Sequence, residues 1–370
     1  MKKCNSIILI VVLLSFICCG NKTKQYKITG IAEGFKDNSY LYLDDNFNRS
    51  IVDSTKIING KFQFYGSVKE PSNFILRTQE YSEMTKIWIE NSNITIEFKK
   101  GNSSNSIITG SQIHNRVNEF ESENSSLILA LSNRQSCKNS IADSIQSVLD
   151  NKYIEYIENN PEDIYSSYLL TCILKRIDKS QSSELYNKLN PDIRLSHFGK
   201  YIYKYIRYNK NLKTGYRTVN FGMRNPKDEV VYLKNYRGKY LLLSFWIAGS
   251  IHTTRLTNCQ GCFQMNKTLV DFYDKYNSKG LEILSISLDR NKDDWIKGIK
   301  RDDLIWENVC DFEGFQGIVP ITYSIDKIPS LILINSDGII VETDIAKVEK
   351  TLDYIFNILL LDKEDDFLLN

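Results

Sequence analysis

The chain has 370 residues, 42% hydrophobic and 25% charged, which argues against disorder and for two or three domains rather than one. Lys and Arg total 47 against 45 Asp and Glu, and a net charge of +2 does not give the electrostatic footprint of a nucleic-acid or polyanion binder. No basic run is interleaved with aromatic residues, so no nucleic-acid partner is expected.

Met1-Lys2-Lys3 is a cationic start, and the run 7–17 is apolar except for Ser15 before it ends at Cys18-Cys19-Gly20-Asn21. Such a run is short for a membrane span and has the length of a signal-peptide core; a plain N-terminal anchor helix is the alternative. Either reading puts the rest of the chain in an oxidising, extracytoplasmic space. Residues 1–19 resemble a bacterial lipoprotein signal, which implies Cys19 as the lipid-bearing residue. The implied location is the cell envelope, held by the lipid anchor at the outer membrane and facing the periplasm, since no acidic run follows Cys19. Two positions depart from that pattern: Cys18 stands where a small residue is usual, and Phe16 where Leu is usual.

Residues 26–111 read as strands. Tyr40-Leu41-Tyr42-Leu43, Lys61-Phe62-Gln63-Phe64-Tyr65, Phe74-Ile75-Leu76 and Ile94-Thr95-Ile96-Glu97-Phe98 are short, β-branched or aromatic, and partly alternating. Asn59-Gly60 signals a hairpin turn, because both residues tolerate positive φ. The spacing suggests a small antiparallel β-sandwich. With Ile28-Thr29-Gly30, Val52-Asp53-Ser54 and Ile108-Thr109-Gly110-Ser111, the stretch resembles the domain of unknown function found in Bacteroidetes lipoproteins ahead of a C-terminal redox module.

From 112 to 209 the period becomes helical. Ile141, Ile145, Val148 and Leu149 mark one helix; Tyr153, Ile154, Tyr156 and Ile157 mark a further segment. Asn160-Pro161-Glu162-Asp163 is a break followed by a helix start, and a helix containing Cys172 follows. The expected role of this region is to connect and pack two domains. His114 and His197 stand alone and read as surface or core residues rather than metal ligands.

A basic, polar linker is expected at 210–217, and from 218 to 361 strands and helices alternate. Val230-Val231-Tyr232-Leu233 and Tyr240-Leu241-Leu242-Leu243-Ser244-Phe245-Trp246 read as strands. After them come a long loop, a helix through 267–276, a strand at 281–288, a helix near 295–300, strands at 331–334 and 339–341, and a last helix at 352–361 before an acidic tail, 362–370. Alternation of this kind implies right-handed crossovers and a sheet covered on both faces.

Five cysteines lie beyond the N-terminal segment: Cys137, Cys172, Cys259, Cys262 and Cys310. In a chain long enough to build its own core they do not suggest a disulfide-stapled scaffold, and Cys310 reads as a buried small hydrophobe. Cys259-Gln260-Gly261-Cys262 is different. A Cys-x-x-Cys after an apolar strand and at a helix start can close a small disulfide ring, and the unpaired N–H groups there stabilise a thiolate. The same spacing also makes half a zinc site, but no second Cys/His pair stands at metal spacing, so no metal or other cofactor is expected.

The surroundings carry a resemblance over about 130 residues in order. Gly238-Lys239 with the strand to Phe245-Trp246, Cys259-x-x-Cys262 with Leu269-Val270-Asp271-Phe272, Gly280-Leu281-Glu282-Ile283, and Ile328-Pro329-Ser330 with Asp337-Gly338 resemble the TlpA/ResA-like thioredoxins. The resemblance implies a thioredoxin-like α/β domain at 218–361, with Cys259 as attacking thiolate and Cys262 as resolving thiol. It also implies a cis-proline loop at Pro329 that offers the backbone of Ile328 to an extended substrate. The implied activity is thiol–disulfide exchange on disulfide-bearing exported proteins, with a separate, unidentified redox partner. A binding lipoprotein with a degenerate site is the non-enzymatic alternative. A peroxidase would need Thr-x-x-Cys.

Three departures stand out. Twelve residues, 247–258, separate Trp246 from Cys259 where the family has three, and an inserted loop is expected there rather than a register in which Ser250 and Thr253 take the cysteine positions. Gly261 replaces a proline, and Ser244 stands where a buried Asp or Asn is frequent. His252 and Arg255 in the insertion could stabilise a thiolate or grip substrate, or be solvated loop residues.

Overall fold

The computed structural model of the protein describes residues 25–132, 139–249 and 260–343, together with Lys350. Cys19 and the rest of 1–19, Cys137, Ser250, His252, Thr253, Arg255, Cys259, and the helix and acidic tail expected beyond 351 lie outside the described residues.

The β-rich unit contains β1 (Tyr26–Glu33), β2 (Tyr40–Asp45), β3 (Ser50–Lys56), β4 (Lys61–Gly66), β5 (Ser72–Thr78), β6 (Met84–Ile89), β7 (Asn93–Lys99) and β8 (Ile107–Thr109). They form two sheets, β4-β1-β7-β8 and β3-β2-β5-β6. Alternation explains the packing: in β4 the pattern Lys61-Phe62-Gln63-Phe64 turns both rings inward, where they meet Leu41, Leu43, Phe74 and Leu76 of the facing sheet in one core.

One expectation needs correction. The sandwich is not wholly antiparallel, because β1 pairs with β7 in parallel; the chain crosses through the second sheet and returns beside its own start in the same direction. Asn59 and Gly60, with φ of 50° and 67°, make the expected hairpin turn, across which Ile58 and Lys61 pair antiparallel; β3 and β4 on either side then run into different sheets. The turn is therefore a corner between sheets, held by the Asp37 carboxylate, which accepts hydrogen bonds from both backbone N–H groups at 3.0 and 3.1 Å. Within the second sheet, Arg77 and Asp44 form a fully buried ion pair.

The helical region comprises α1 (Gln112–Glu123), α2 (Ser125–Ser132), α3 (Asn139–Asn159), α4 (Ile164–Ile173), α5 (Lys179–Lys188), α6 (Pro191–Leu195) and α7 (His197–Tyr208). Side chains from the preceding turns cap several starts: Ser111, Asp163, Asp178 and Ser196 each accept a backbone N–H. Both apolar segments read between 141 and 157 fall in the single helix α3. Its buried apolar positions are Ala142, Leu149 and Ile157, whereas Ile141 and Val148 are about half exposed. Apolar spacing alone could not say which stripe of α3 meets α4. His114 is buried and neutral, its pKa pushed down to about 4 by burial, and His197 bonds the Glu70 carboxylate; both are structural, as expected.

The C-terminal unit contains β9 (Gly222–Arg224), β10 (Val230–Tyr232), β11 (Tyr240–Trp246), α8 (Gln260–Tyr276), β12 (Leu281–Ser287), α9 (Lys292–Arg301), β13 (Glu307–Cys310), α10 (Ile318–Thr322), β14 (Ser330–Ile334) and β15 (Ile340–Glu342). The sheet order is β10-β9-β13-β12-β11-β14-β15, with β11, β12 and β13 parallel and β14 antiparallel to β11. The run 241–246 is buried throughout, which suits a central strand covered on both faces. Leu242 and Trp246 join α8 and α9 in one core; Leu241, Leu243 and Phe245 join α10 in the other.

The expected linker is pinned rather than free. Lys210 N–H bonds Thr322, Gly215 N–H bonds Ile340, and Arg217 bridges Ile339, so the segment lies along the C-terminal unit. The β2–β3 tip ties all three regions together. The Phe47 ring packs on Phe198 and Tyr201 (centroids 4.7 and 5.7 Å apart), while its carbonyl accepts from Gln316 Nε2 at 3.0 Å. Asn48 accepts from Arg290 Nε at 3.1 Å, and the Arg49 guanidinium stacks 3.9 Å from the Phe315 ring centroid. Among the described residues no helix is long and apolar enough to cross a membrane.

Candidate active site

Because β11, β12 and β13 run in parallel, their C-terminal ends share one edge of the sheet. Antiparallel β14 starts at that edge, where Ser330 pairs with Phe245, and α8 begins there as well. Cys262 lies in the first turn of α8, within the Trp246 core, and is 1% exposed. Its sulfur is disulfide-bonded. Cys172 and Cys310, the other described cysteines, are free, so the partner sulfur lies outside the described residues, as Cys259 does.

Facing this turn is the loop before β14. The Ile328–Pro329 bond is cis, as the sequence suggested. Gly261 touches the proline ring directly: a Cβ at 261 would stand 3.3 Å from Pro329 Cδ. The helix start that carries Cys262 and the cis-proline loop are therefore in contact, which is the juxtaposition a backbone-reading disulfide site needs.

Ser244 occupies its predicted buried position, and its hydroxyl has no hydrogen-bond partner among the described residues. The buried carboxyl at this edge belongs instead to Asp289, two residues past the end of β12 and 3% exposed. Its Oδ2 accepts from the Ser287 hydroxyl at 2.6 Å and from Ala248 N–H at 2.9 Å. Burial pushes its pKa up to about 6 against the lowering effect of those hydrogen bonds. The sequence patterns did not single out Asp289. The available signal was a carboxylate directly after the apolar strand 281–288.

Ala248 is clamped from both sides. Its N–H goes to Asp289, and its carbonyl accepts from Arg301 Nη1 at 2.9 Å. Arg301 pairs in turn with the buried Asp302, which also accepts from Asn266 of α8 at 2.7 Å. The Arg301 guanidinium also sits 5.4 Å from the ring of Phe263, the neighbour of Cys262. Gly298 lets α9 approach this close, since a Cβ there would fall 2.2 Å from Ala248 Cβ. Gly298→Ala therefore sets a helix gain of about 1 kcal/mol against an overpacking cost of about 1–3 kcal/mol. The expected result is a net loss of up to about 2 kcal/mol in denaturant titration, against no loss if α9 can simply slide.

The two free thiols are desolvated and unreactive. Burial pushes Cys310 up to about 12, while Phe312 N–H donates to its sulfur at 3.3 Å. Desolvation also raises Cys172, in α4. Neither is a thiolate at neutral pH.

With the geometry in place, comparison with known proteins is informative. Residues 26–117 match a domain of unknown function, DUF4369, and residues 238–340 match a thioredoxin-like family. The C-terminal region is a thioredoxin-like domain. The thiol-disulfide oxidoreductase ResA of Bacillus cereus (strain ZK / E33L) is 28% identical over 141 residues, which cover 38% of this chain and 75% of that protein. ResA of Halalkalibacterium halodurans is 27% identical over 130 residues, 35% of this chain and 67% of that one. Among solved structures, the thioredoxin domain of a thiol-disulfide oxidoreductase from Bacteroides vulgatus is 27% identical, covering 39% of this chain and 99% of its own, with a TM-score of 0.35. The thioredoxin-like domain thus belongs with the thiol-disulfide oxidoreductases, and the β-rich unit is the DUF4369 domain.

Proposed function

We propose that the protein is an extracytoplasmic thiol-disulfide oxidoreductase that reduces or exchanges disulfides of exported proteins through Cys259 and Cys262. The observation that carries this reading is a buried, disulfide-bonded Cys262 in the first turn of α8, with the cis-Pro329 loop against the adjoining Gly261.

The roles follow from access. A sulfur that is 1% exposed cannot meet a protein disulfide first, so Cys262 is the resolving thiol. The Cys259 thiolate attacks one substrate sulfur; a mixed disulfide forms, the substrate S–S bond breaks, and the released thiolate takes a proton. Cys262 then attacks the Cys259 sulfur, releasing the second substrate thiol. Two electrons have passed to the substrate, and Cys259–Cys262 is oxidised until a separate reductant restores it. Ile328 and Pro329 align the substrate backbone; Pro329, with no N–H, leaves the sulfurs approachable. Cys19 would anchor the chain by lipid to the outer membrane, facing the periplasm.

A glutathione-buffered redox titration with thiol alkylation tests the core of this reading. A single two-electron couple that shifts mass by two alkyl groups, and that vanishes on changing either cysteine, is expected. Failure of Cys259 and Cys262 to pair under oxidant would leave a binding lipoprotein with a degenerate site.

A further inference from the structure

A groove of about 670 Å³ runs between α6–α7 and the loop that follows β13. Three cations of the helical region line it, Arg194, Lys200 and Lys204, and Arg290 joins them from the end of β12. Lys204 is neutralised by Glu313, and Arg290 lies in the field of Asp45, Glu313 and Asp311. Arg194 and Lys200 have no carboxylate partner within ion-pair distance among the described residues; Lys200 acts on the Glu70 carboxylate through space, and His197 holds that carboxylate at 2.6 Å. Between these cations Tyr203, 48% exposed, presents an aromatic surface.

The groove opens at the same sheet edge as the cis-proline loop. It is lined by Phe312 and Glu313 just past β13, at the sheet edge where α8 and Pro329 also lie. The order β13-β12-β11-β14 puts three inter-strand spacings, about 14 Å, between the ends of β13 and β14. An extended chain covers that distance in about four to five residues. A polypeptide lying across the cis-proline loop therefore needs at least that many residues to reach the Phe312–Glu313 wall of the groove. The Phe47–Arg49 contacts keep the helical region, which supplies the cations, in place beside the thioredoxin-like domain.

We propose that this groove docks an acidic segment of the disulfide-bearing substrate, about five or more residues from its reactive cysteine. The proposal rests on the oxidoreductase reading for the identity of the occupant, but its test does not depend on turnover. The unpaired cations Arg194 and Lys200 select carboxylates, and Tyr203 favours apolar or aromatic neighbours among them.

Fluorescence anisotropy on the full-length chain decides it, using a labelled, cysteine-free peptide rich in Glu with one Phe, against the same peptide with Lys for Glu. The acidic peptide should bind and the basic one should not. Arg194→Glu/Lys200→Glu should weaken binding by about tenfold or more, and 0.5 M salt should do the same. Arg194→Lys/Lys200→Arg should keep it; if the charge-reversed protein does not fold, Arg194→Gln/Lys200→Gln carries the comparison. Equal binding of both peptides, or full binding by the charge-changed variant, overturns the proposal. In a second arm, peptides carrying a disulfide five residues from acidic or neutral stretches are reduced, and a higher kcat/KM is expected for the acidic one. No reduction of any peptide would sink the oxidoreductase reading, while anisotropy would still decide the groove.

Discussion

Cys262→Ser should arrest the protein at a mixed disulfide. With the resolving sulfur gone, Cys259 still attacks a substrate disulfide, but nothing inside the protein expels it, and the covalent complex accumulates. Turnover on a protein disulfide should fall by roughly a thousandfold or more, because the second half of the exchange then depends on an outside thiol. Cys259→Ser should lose as much activity and trap nothing, since Cys262 is 1% exposed and cannot attack in its place. The asymmetry is the informative part: a non-reducing gel with a radiolabelled or tagged substrate should show a slow band for one variant only. Equal trapping by both variants would overturn the assignment of Cys259 as the attacking thiol. Unchanged turnover in either would place the chemistry elsewhere.

Asp289→Asn should flatten the dependence of stability on pH between about 4 and 7. The ordinary carboxyl value of 3.8 is pushed up to about 6 by burial, so between these values the folded protein holds a proton that the unfolded chain has released. The sign follows. For an acid with a raised folded value, the stabilising contribution is present below the unfolded pKa and is lost as pH rises through the folded one. The wild type should therefore lose stability on the order of 2–3 kcal/mol relative to the amide variant over that range. The amide oxygen can keep the hydrogen bonds that Ser287 Oγ and Ala248 N–H now make to Oδ2, and any loss at the further Gly249 N–H contact is a pH-independent offset that the comparison of two pH values removes. Urea titrations at pH 4.5 and 7.5 measure the difference. Parallel stabilities at both pH values would mean that the carboxyl is already ionised throughout, with solvent reaching it. The same proton sits at the residue that holds Ala248, so the pH profile of exchange should shift with it.

Much of the architecture was legible as local pattern. The apolar run 241–246 reads as a strand covered on both faces, and Lys61-Phe62-Gln63-Phe64 as a half-buried one, and both form so. The cis bond before Pro329 and the helix carrying Cys262 lie where spacing and resemblance put them. Partner choice was less legible. Asn59-Gly60 makes the expected tight turn, but whether that turn joins paired strands or two sheets depends on what β3 and β4 find across space. Ile141 and Val148 follow a helical period, yet the buried stripe of α3 is set by α4 and α5 rather than by α3 itself.

The site divides the same way. Composition and motif order determined a chain of a β-rich unit, a helical unit and a thioredoxin-like domain, and singled out the Cys-x-x-Cys, because a dithiol ring and a helix start are properties of adjacent residues. Tertiary structure alone decided that Asp289 carries the buried carboxyl in place of Ser244, that Arg301 and Asp289 clamp Ala248, and that Arg194, Lys200 and Arg290 share one groove. Those groups come from separate elements, and burial and charge act through space between residues that the chain keeps far apart.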